Sequence, residues 1–314
     1  MHTIVPWVRR HGARLCAAGL LAMMPMSSCI AGTLVGVVTD YGPRDLNTGP
    51  PLVTMQRGND VLPVKDQAPV YDDDQFVFTK QSGKQSGQTP FVTVQIGATE
   101  EVTLHETNPE IPKGAGLALR QFETRLIAVY KWINPPGSDK QVPAEAQSRG
   151  EQTLAVLPAL TGNGRTKLVV SDDGSKPLWI GWTGGKPPFD VLAKIAGKTI
   201  AERKVCSEGE TPSCLREAMI EGLTNDAEPL SLSIVAVDGS TWSQSLARKP
   251  IIPVGNVASV ANLGKLGVFI EATELLDRGH GEYVLESARM LASIAKDYHP
   301  ARELLDHIRD GLVP

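Results

Sequence analysis

Cys206 and Cys214 are residues whose type and spacing could do chemistry. They flank the loop SEGETPS, whose glycine, proline and serines suit a tight excursion. In an oxidising compartment such a pair closes as a structural disulfide, worth about 2 to 3 kcal/mol on the chain-entropy account. A thiol redox pair would be spaced C-x-x-C, and a zinc site would need two further ligands nearby. Further on, His299, Glu303 and His307 fall four apart, which on a continuous helix would stack three metal-ligand types on one face. Pro300 argues against that reading: it marks a first helical turn and so leaves His299 outside the helix with its ring turned elsewhere. A solvated face with a cap is the expectation there. Asp72, Asp73 and Asp74 could gather a hard cation, but three consecutive carboxylates cannot all point at one ion from an extended segment. A solvated turn is expected instead. Ser293 and Lys296 make an S-x-x-K, without the S-D-N and K-T-G companions that such a serine enzyme uses.

The remaining chemical candidates are aromatic or glycine-rich. Trp179 and Trp182 lie three apart in a β-like run, so they face opposite sides. One is expected in the core, and the other is a candidate contact for a sugar or a peptide. TGNGRT and WTGGKP contain glycines but not the spacing of a phosphate loop, and each is followed by more β-like sequence, so both are read as turns. His105 is expected at a strand end, facing solvent. No catalytic residue, metal site or cofactor is assigned from the sequence.

These groups must be carried by a chain of 314 residues, long enough for two ordinary domains and a tail. With 31 basic against 35 acidic side chains, it carries no electrostatic footprint for nucleic acid. The first residues read as an address. Arg9, Arg10 and Arg14 precede the apolar run LCAAGLLAMMPM, which is too short for an ordinary membrane-spanning helix. Two cuts are open. Met26-Ser27-Ser28-Cys29 resembles a bacterial lipobox with Met where Leu is usual, which makes Cys29 the lipidation candidate and the one route to a membrane. Cys29-Ile30-Ala31 suits a conventional peptidase, leaving a protein that begins at Gly32. Either cut exports the chain, to the periplasm or to a lipid anchor on the outer membrane.

Period-two alternation and turn residues give the first β stretch: runs at Thr33 to Val38, Leu52 to Met55, Val61 to Val64, Val70-Tyr71, Phe76 to Phe78, Phe91 to Ile96 and Val102 to Leu104. Val92, Val94 and Ile96 should share a dry face. Three- and four-residue spacing from Leu119 to Ile133 predicts a helix ending at Asn134-Pro135. A Lys-, Glu-, Gln- and Pro-rich stretch follows, and a second β region then runs from Leu154-Leu157 to Thr241-Leu246, interrupted after Cys214 by a short helix over LREAMIEGL. From Asn262 three helices are expected, over 266–276, 284–295 and 300–310. The expected fold class is mainly β with α: two small β domains, one sandwich-like, then a helical hairpin. The expected divisions are an address over 1–31, a β domain with trailing helix over 32–134, a linker over 135–152, a disulfide-bearing β domain over 153–255 and a helical tail over 256–314.

The opening GTLVGVV, MQRG before LPVKDQAPVYDDDQFVF, and VTVQIGATEEVTLHETNPEIP resemble, in order and hydrophobic spacing, the FecR-like β domain of bacterial envelope proteins. The departures are that Lys65-Asp66-Gln67 lacks the usual glycine and that Asp73-Asp74 stands where the family has Gly-Asp. WTGGKPPFDV, residues 182–191, resembles a pattern of bacterial immunoglobulin-like modules. The resemblance implies an envelope protein without catalysis, binding an envelope partner or a cell-wall component. A periplasmic regulator of FecR type is a second expectation, against which the mature chain shows no membrane-spanning segment. A hydrolase whose site is assembled only by folding is a third. Because short helices cannot enclose Val284, Leu285, Leu291, Ile294, Leu304, Leu305 and Ile308 unaided, a β domain or another protein must cover the tail, and a protein partner in the envelope is the expectation.

Overall fold

The first strand, β1 (Leu34–Gly42), is apolar on both faces, and the fold explains why. Leu34 and Val37 join one buried cluster and Val35 and Val38 a second, so the strand separates two cores and reads as a continuous hydrophobic run rather than an alternation. The computed structural model describes residues 32–43, 52–79, 89–96, 100–112, 119, 122–134, 155–156, 168–171, 176–207, 214–223, 228–251 and 262–310. The address with Cys29, the linker over 135–152, TGNGRT and most of the polar stretch from Lys80 to Pro90 lie outside the described residues.

After β1 come β2 (Val53–Arg57), β3 (Asp60–Pro63), β4 (Pro69–Tyr71), β5 (Gln75–Phe78), β6 (Phe91–Ile96) and β7 (Glu100–His105). They form two antiparallel sheets, ordered β4-β1-β6-β7 and β3-β2-β5. The dry face expected of Val92, Val94 and Ile96 is there, packed with Val53, Met55 and Phe76 from the smaller sheet. Gly36 is needed where β1 crosses β6, since a Cβ at that position would lie 2.6 Å from Val94 Cγ1 and 2.8 Å from the Gln95 carbonyl oxygen. Helix α1 (Glu123–Ile133) follows and ends at Asn134, as the sequence predicts.

The second β region comprises β8 (Ala155–Val156), β9 (Val169–Ser171), β10 (Leu178–Thr183), β11 (Phe189–Ile195), β12 (Lys198–Val205), β13 (Glu217–Ile220), β14 (Leu230–Ala236) and β15 (Thr241–Lys249). Five strands, β12-β11-β14-β15-β9, make one sheet and β13-β10-β8 another. On β11 and β14 every second residue is buried, and the register pairs Val191 with Ile234 and Ala193 with Leu232 on the inner face. Asp238 closes the β14-β15 hairpin by accepting from the Ser240 amide and hydroxyl at 3.0 and 2.6 Å. The helix expected over LREAMIEGL is corrected: residues 217–220 are β13. Leu215, Met219 and Leu223 have helical spacing, but Ala218 and Ile220 alternate inward and the strand pairs with β10, Leu178 facing Ile220.

Three helices end the described chain: α2 (Gly264–Asp277), α3 (Val284–Ile294) and α4 (His299–Arg309). Their apolar residues recur at three and four positions. Leu266, Phe269, Leu276, Val284, Leu291, Leu304, Leu305 and Ile308 are all buried in the cluster that Leu34 and Val37 enter from β1. α3 packs on β9 and β10, and α4 touches β1, β10 and α1. The expectation that a partner protein covers the apolar surplus of the tail is corrected: the chain's own sheets cover it. Arg125 of α1 donates to Asp277 and to the Thr273 carbonyl at the C-terminal end of α2, where a cation is favoured. The chain is mainly β with α.

Candidate functional site

The turn between β3 and β4 carries Asp66 and Gln67, and both point to the start of α4. Gln67 adopts φ 59, the left-handed region that favours glycine, at a turn where the sequence has none to offer. Its backbone is held there by Gln67 N–H donating to Val38 O at 2.9 Å. Its side chain is fully buried, with Nε2 donating to the Tyr298 hydroxyl at 3.1 Å. Tyr298 in turn packs edge-on against Phe269, ring centroids 5.6 Å apart, and its burial raises the phenol's pKa well above the usual range. Asn134, just past α1, donates Nδ2 to the Asp66 carbonyl at 3.0 Å. The chain therefore fixes Asp66 through its own carbonyl and through its neighbour Gln67, although Gln67 and Tyr298 stand 231 residues apart in sequence.

With Tyr298 anchored, His299 falls beside Asp66. Nδ1 of His299 lies 3.5 Å from Asp66 Oδ2, and Nε2 lies 3.6 Å from Glu303 Oε1 one turn along the helix. One ligand atom from each of the three residues can be chosen so that all lie within 4.8 Å of one another. Asp66 is buried, whereas His299 and Glu303 are about one-third exposed, at 34% and 39% of their side-chain surface, so the cluster opens to solvent. An imidazole between two carboxylates can hold a proton or a divalent cation. The expectation that Pro300 turns His299 away is corrected: the proline sits in the first turn, where its missing N–H costs nothing, and His299 as the first helical residue reaches both carboxylates. His307 does not join the group. Spacing showed the His299–Glu303 pair, but nothing in the sequence points from residue 299 to residue 66.

The other candidates resolve as structure. Trp179 and Trp182 are both buried, correcting the expectation that one is free for a ligand. Trp182 packs edge-on against Phe189 at 5.3 Å, toward the five-stranded sheet. Trp179 lies on the opposite face of β10 over Gly181, and that strand is covered by α3 and α4. Cys206 and Cys214 are bonded. Gly184 and Gly185 have φ 74 and 68, the turn chemistry expected of WTGGKP. Asp72 and Asp73 are exposed, but Asp74 departs from the solvated-turn reading: it is buried, takes two hydrogen bonds from Arg57 at 2.7 Å and accepts the Tyr71 amide at 2.8 Å. The ring of His105 stands within 3.4 Å of the Pro90 carbonyl through Nδ1, half-buried at the strand end. Ser293 donates to the Met290 carbonyl within its own helix.

Compared with known proteins, the chain matches no family model, no curated protein and no solved structure. Among the described residues, no helix is long and apolar enough to cross a membrane.

Proposed function

We propose that the chain is an exported, non-catalytic envelope component, FecR-like in its first β region, that binds an envelope protein or a cell-wall component through its sheets. The observation that carries this reading is the outer face of the β3-β2-β5 sheet. Val61 and Val77 stand 67% and 44% exposed there, opposite Gln56 and Thr54 of the central strand. The two valines, on the outer strands, flank the polar Gln56 and Thr54, so they offer two separate contact points rather than a continuous apolar patch. The tail helices offer no comparable face, because their apolar residues are covered by β9, β10 and β1. The disulfide supports export, since such bonds persist in oxidising compartments. Cys29 supplies the proposed lipid anchor.

The test is retention of the purified chain on wall sacculi and on detergent-solubilised envelope, compared with a Val61→Lys, Val77→Lys double variant. Loss of retention in the double variant supports the reading. Unchanged retention moves the contact to another surface, and turnover of wall glycan or peptide by the same preparation overturns the non-catalytic reading.

A further inference from the structure

We infer that Asp66, His299 and Glu303 form a binding site for a divalent transition metal ion of zinc type, which staples α4 to the β3-β4 turn. The donor set decides the metal class. Two carboxylates and a neutral imidazole bring a charge of minus two to a dication. An imidazole nitrogen suits zinc and its neighbours, whereas calcium and magnesium favour oxygen cages.

The donor atoms stand wider than a bound ion requires and must draw in on binding. Zinc bonds of about 2.0 to 2.1 Å place tetrahedral ligand atoms about 3.3 Å apart. The His299 nitrogens stand 3.5 and 3.6 Å from the two carboxylate oxygens, and the full set spans no more than 4.8 Å. A metal takes one ring nitrogen, so binding turns the imidazole until a single edge faces both carboxylates. Its partial exposure and the rotatable bonds of Glu303 leave room for that movement. Three protein ligands leave one tetrahedral position for water or for a donor from a partner.

The support fixes the backbone that carries the ligands, with the Asn134 amide on the Asp66 main-chain carbonyl. Asp66 is buried, and its neighbour Gln67 is locked to Tyr298, the neighbour of His299. Gln67 also leaves its Oε1 buried with no hydrogen-bond partner. Exchanging the amide's oxygen and nitrogen would move the orphan to the nitrogen without removing it, so this corner holds polar capacity beyond what its own side chains satisfy. The inference is independent of what the sheet faces bind.

The test is calorimetric titration of zinc into the chain as it is exported, purified without a tag and stripped by chelator, with cobalt absorption as the second readout. Wild type should take one equivalent and show the d–d bands of a cobalt site with mixed nitrogen and oxygen ligands. Asp66→Asn, which keeps the side chain's shape, and His299→Ala should each weaken zinc about tenfold or more, while His307→Ala should bind as wild type does. Zinc should raise the melting temperature of wild type and His307→Ala but not of Asp66→Asn. No saturable zinc binding by folded wild type overturns the site. So does binding weakened by His307→Ala and left intact in Asp66→Asn, since that pattern describes a surface histidine collecting metal.

Discussion

Arg302 of α4 and Glu217 of β13 meet fork to fork, Nη1 to Oε1 at 2.9 Å and Nη2 to Oε2 at 3.1 Å. The same guanidinium donates to Asp306 one turn along the helix at 2.9 Å. β13 is an edge strand, so this clasp ties it to the helical layer through side chains. Both partners are partly exposed, at 28% and 22%, which limits the pair's worth. Arg302→Ala is expected to lower unfolding stability by about 1 to 2 kcal/mol, part of it from lost packing of the arginine stem. A double-mutant cycle with Glu217→Ala, read by urea denaturation, should return a coupling of about 1 kcal/mol. A coupling near zero would show that the contact adds nothing.

Asp74 and Arg57 make a stronger demand. The Asp74 side chain has no exposed surface, and Arg57, 16% exposed, also donates to the Pro69 carbonyl at 2.7 Å and lies over the Tyr71 ring with its Cζ 4.4 Å from the centroid. Removing the carboxylate leaves a guanidinium and the Tyr71 amide short of their acceptor inside the fold. Asp74→Ala should therefore cost about 3 to 5 kcal/mol, and Asp73→Ala, at the adjacent but exposed residue, well under 1 kcal/mol. Equal effects in urea denaturation would return Asp74 to the solvated turn that the sequence suggested.

What the sequence made legible was local. β6 is read at its observed bounds because Val92, Val94 and Ile96 share one dry face of a strand, and the tail helices are legible because their apolar residues keep the 3.6-residue period. β13 was missed because four residues are too few to outvote the helical spacing of Leu215, Met219 and Leu223, and pairing with β10 decides their state. Trp179 was misread because alternation says which face a residue takes but not what lies over that face; here the helical layer does. Asp66 with His299 could not be seen at all, since a site assembled from a turn and a helix so far apart leaves no spacing to read.

The Cys206–Cys214 bond closes a short loop that leads straight into β13. Replacing both cysteines by serine should lower stability by about 2 to 3 kcal/mol through the freed loop. Because the lost constraint lies at the start of an edge strand, amide exchange should quicken first at Glu217 to Ile220. Two free thiols found by alkylation of the exported protein under denaturing, non-reducing conditions would remove the bond from the account.

Lipidation at Cys29 predicts a membrane-fraction protein that Cys29→Ala releases to the soluble periplasm. A wild-type chain that already fractionates as soluble would instead favour cleavage after Ala31.

Alkaline pH separates the fold's buried phenols from its surface. Burial raises the Tyr71 hydroxyl to about 12 from an ordinary 10.0, helped by the Glu123 carboxylate, to which it donates at 3.2 Å, and opposed by the Arg57 charge. The folded chain keeps this proton where the unfolded chain has lost it, so between about pH 10 and 12 the unfolded state binds fewer protons and stability falls as pH rises. The contribution is complete below pH 10 and is gone once pH passes the folded value, an extra loss of roughly 2 to 3 kcal/mol across the window. Tyr71→Phe has no proton to lose. It should begin slightly less stable at pH 9, by about 1 kcal/mol for the hydrogen bond to Glu123, and then decline less steeply, so that the two stability curves converge or cross before pH 12. Tyr298, also raised by burial, titrates in both proteins and cancels in the comparison. Urea unfolding followed by tryptophan fluorescence at half-unit steps from pH 9 to 12 measures the two slopes. Parallel curves would mean that the Tyr71 proton is no more strongly held in the fold than in the open chain.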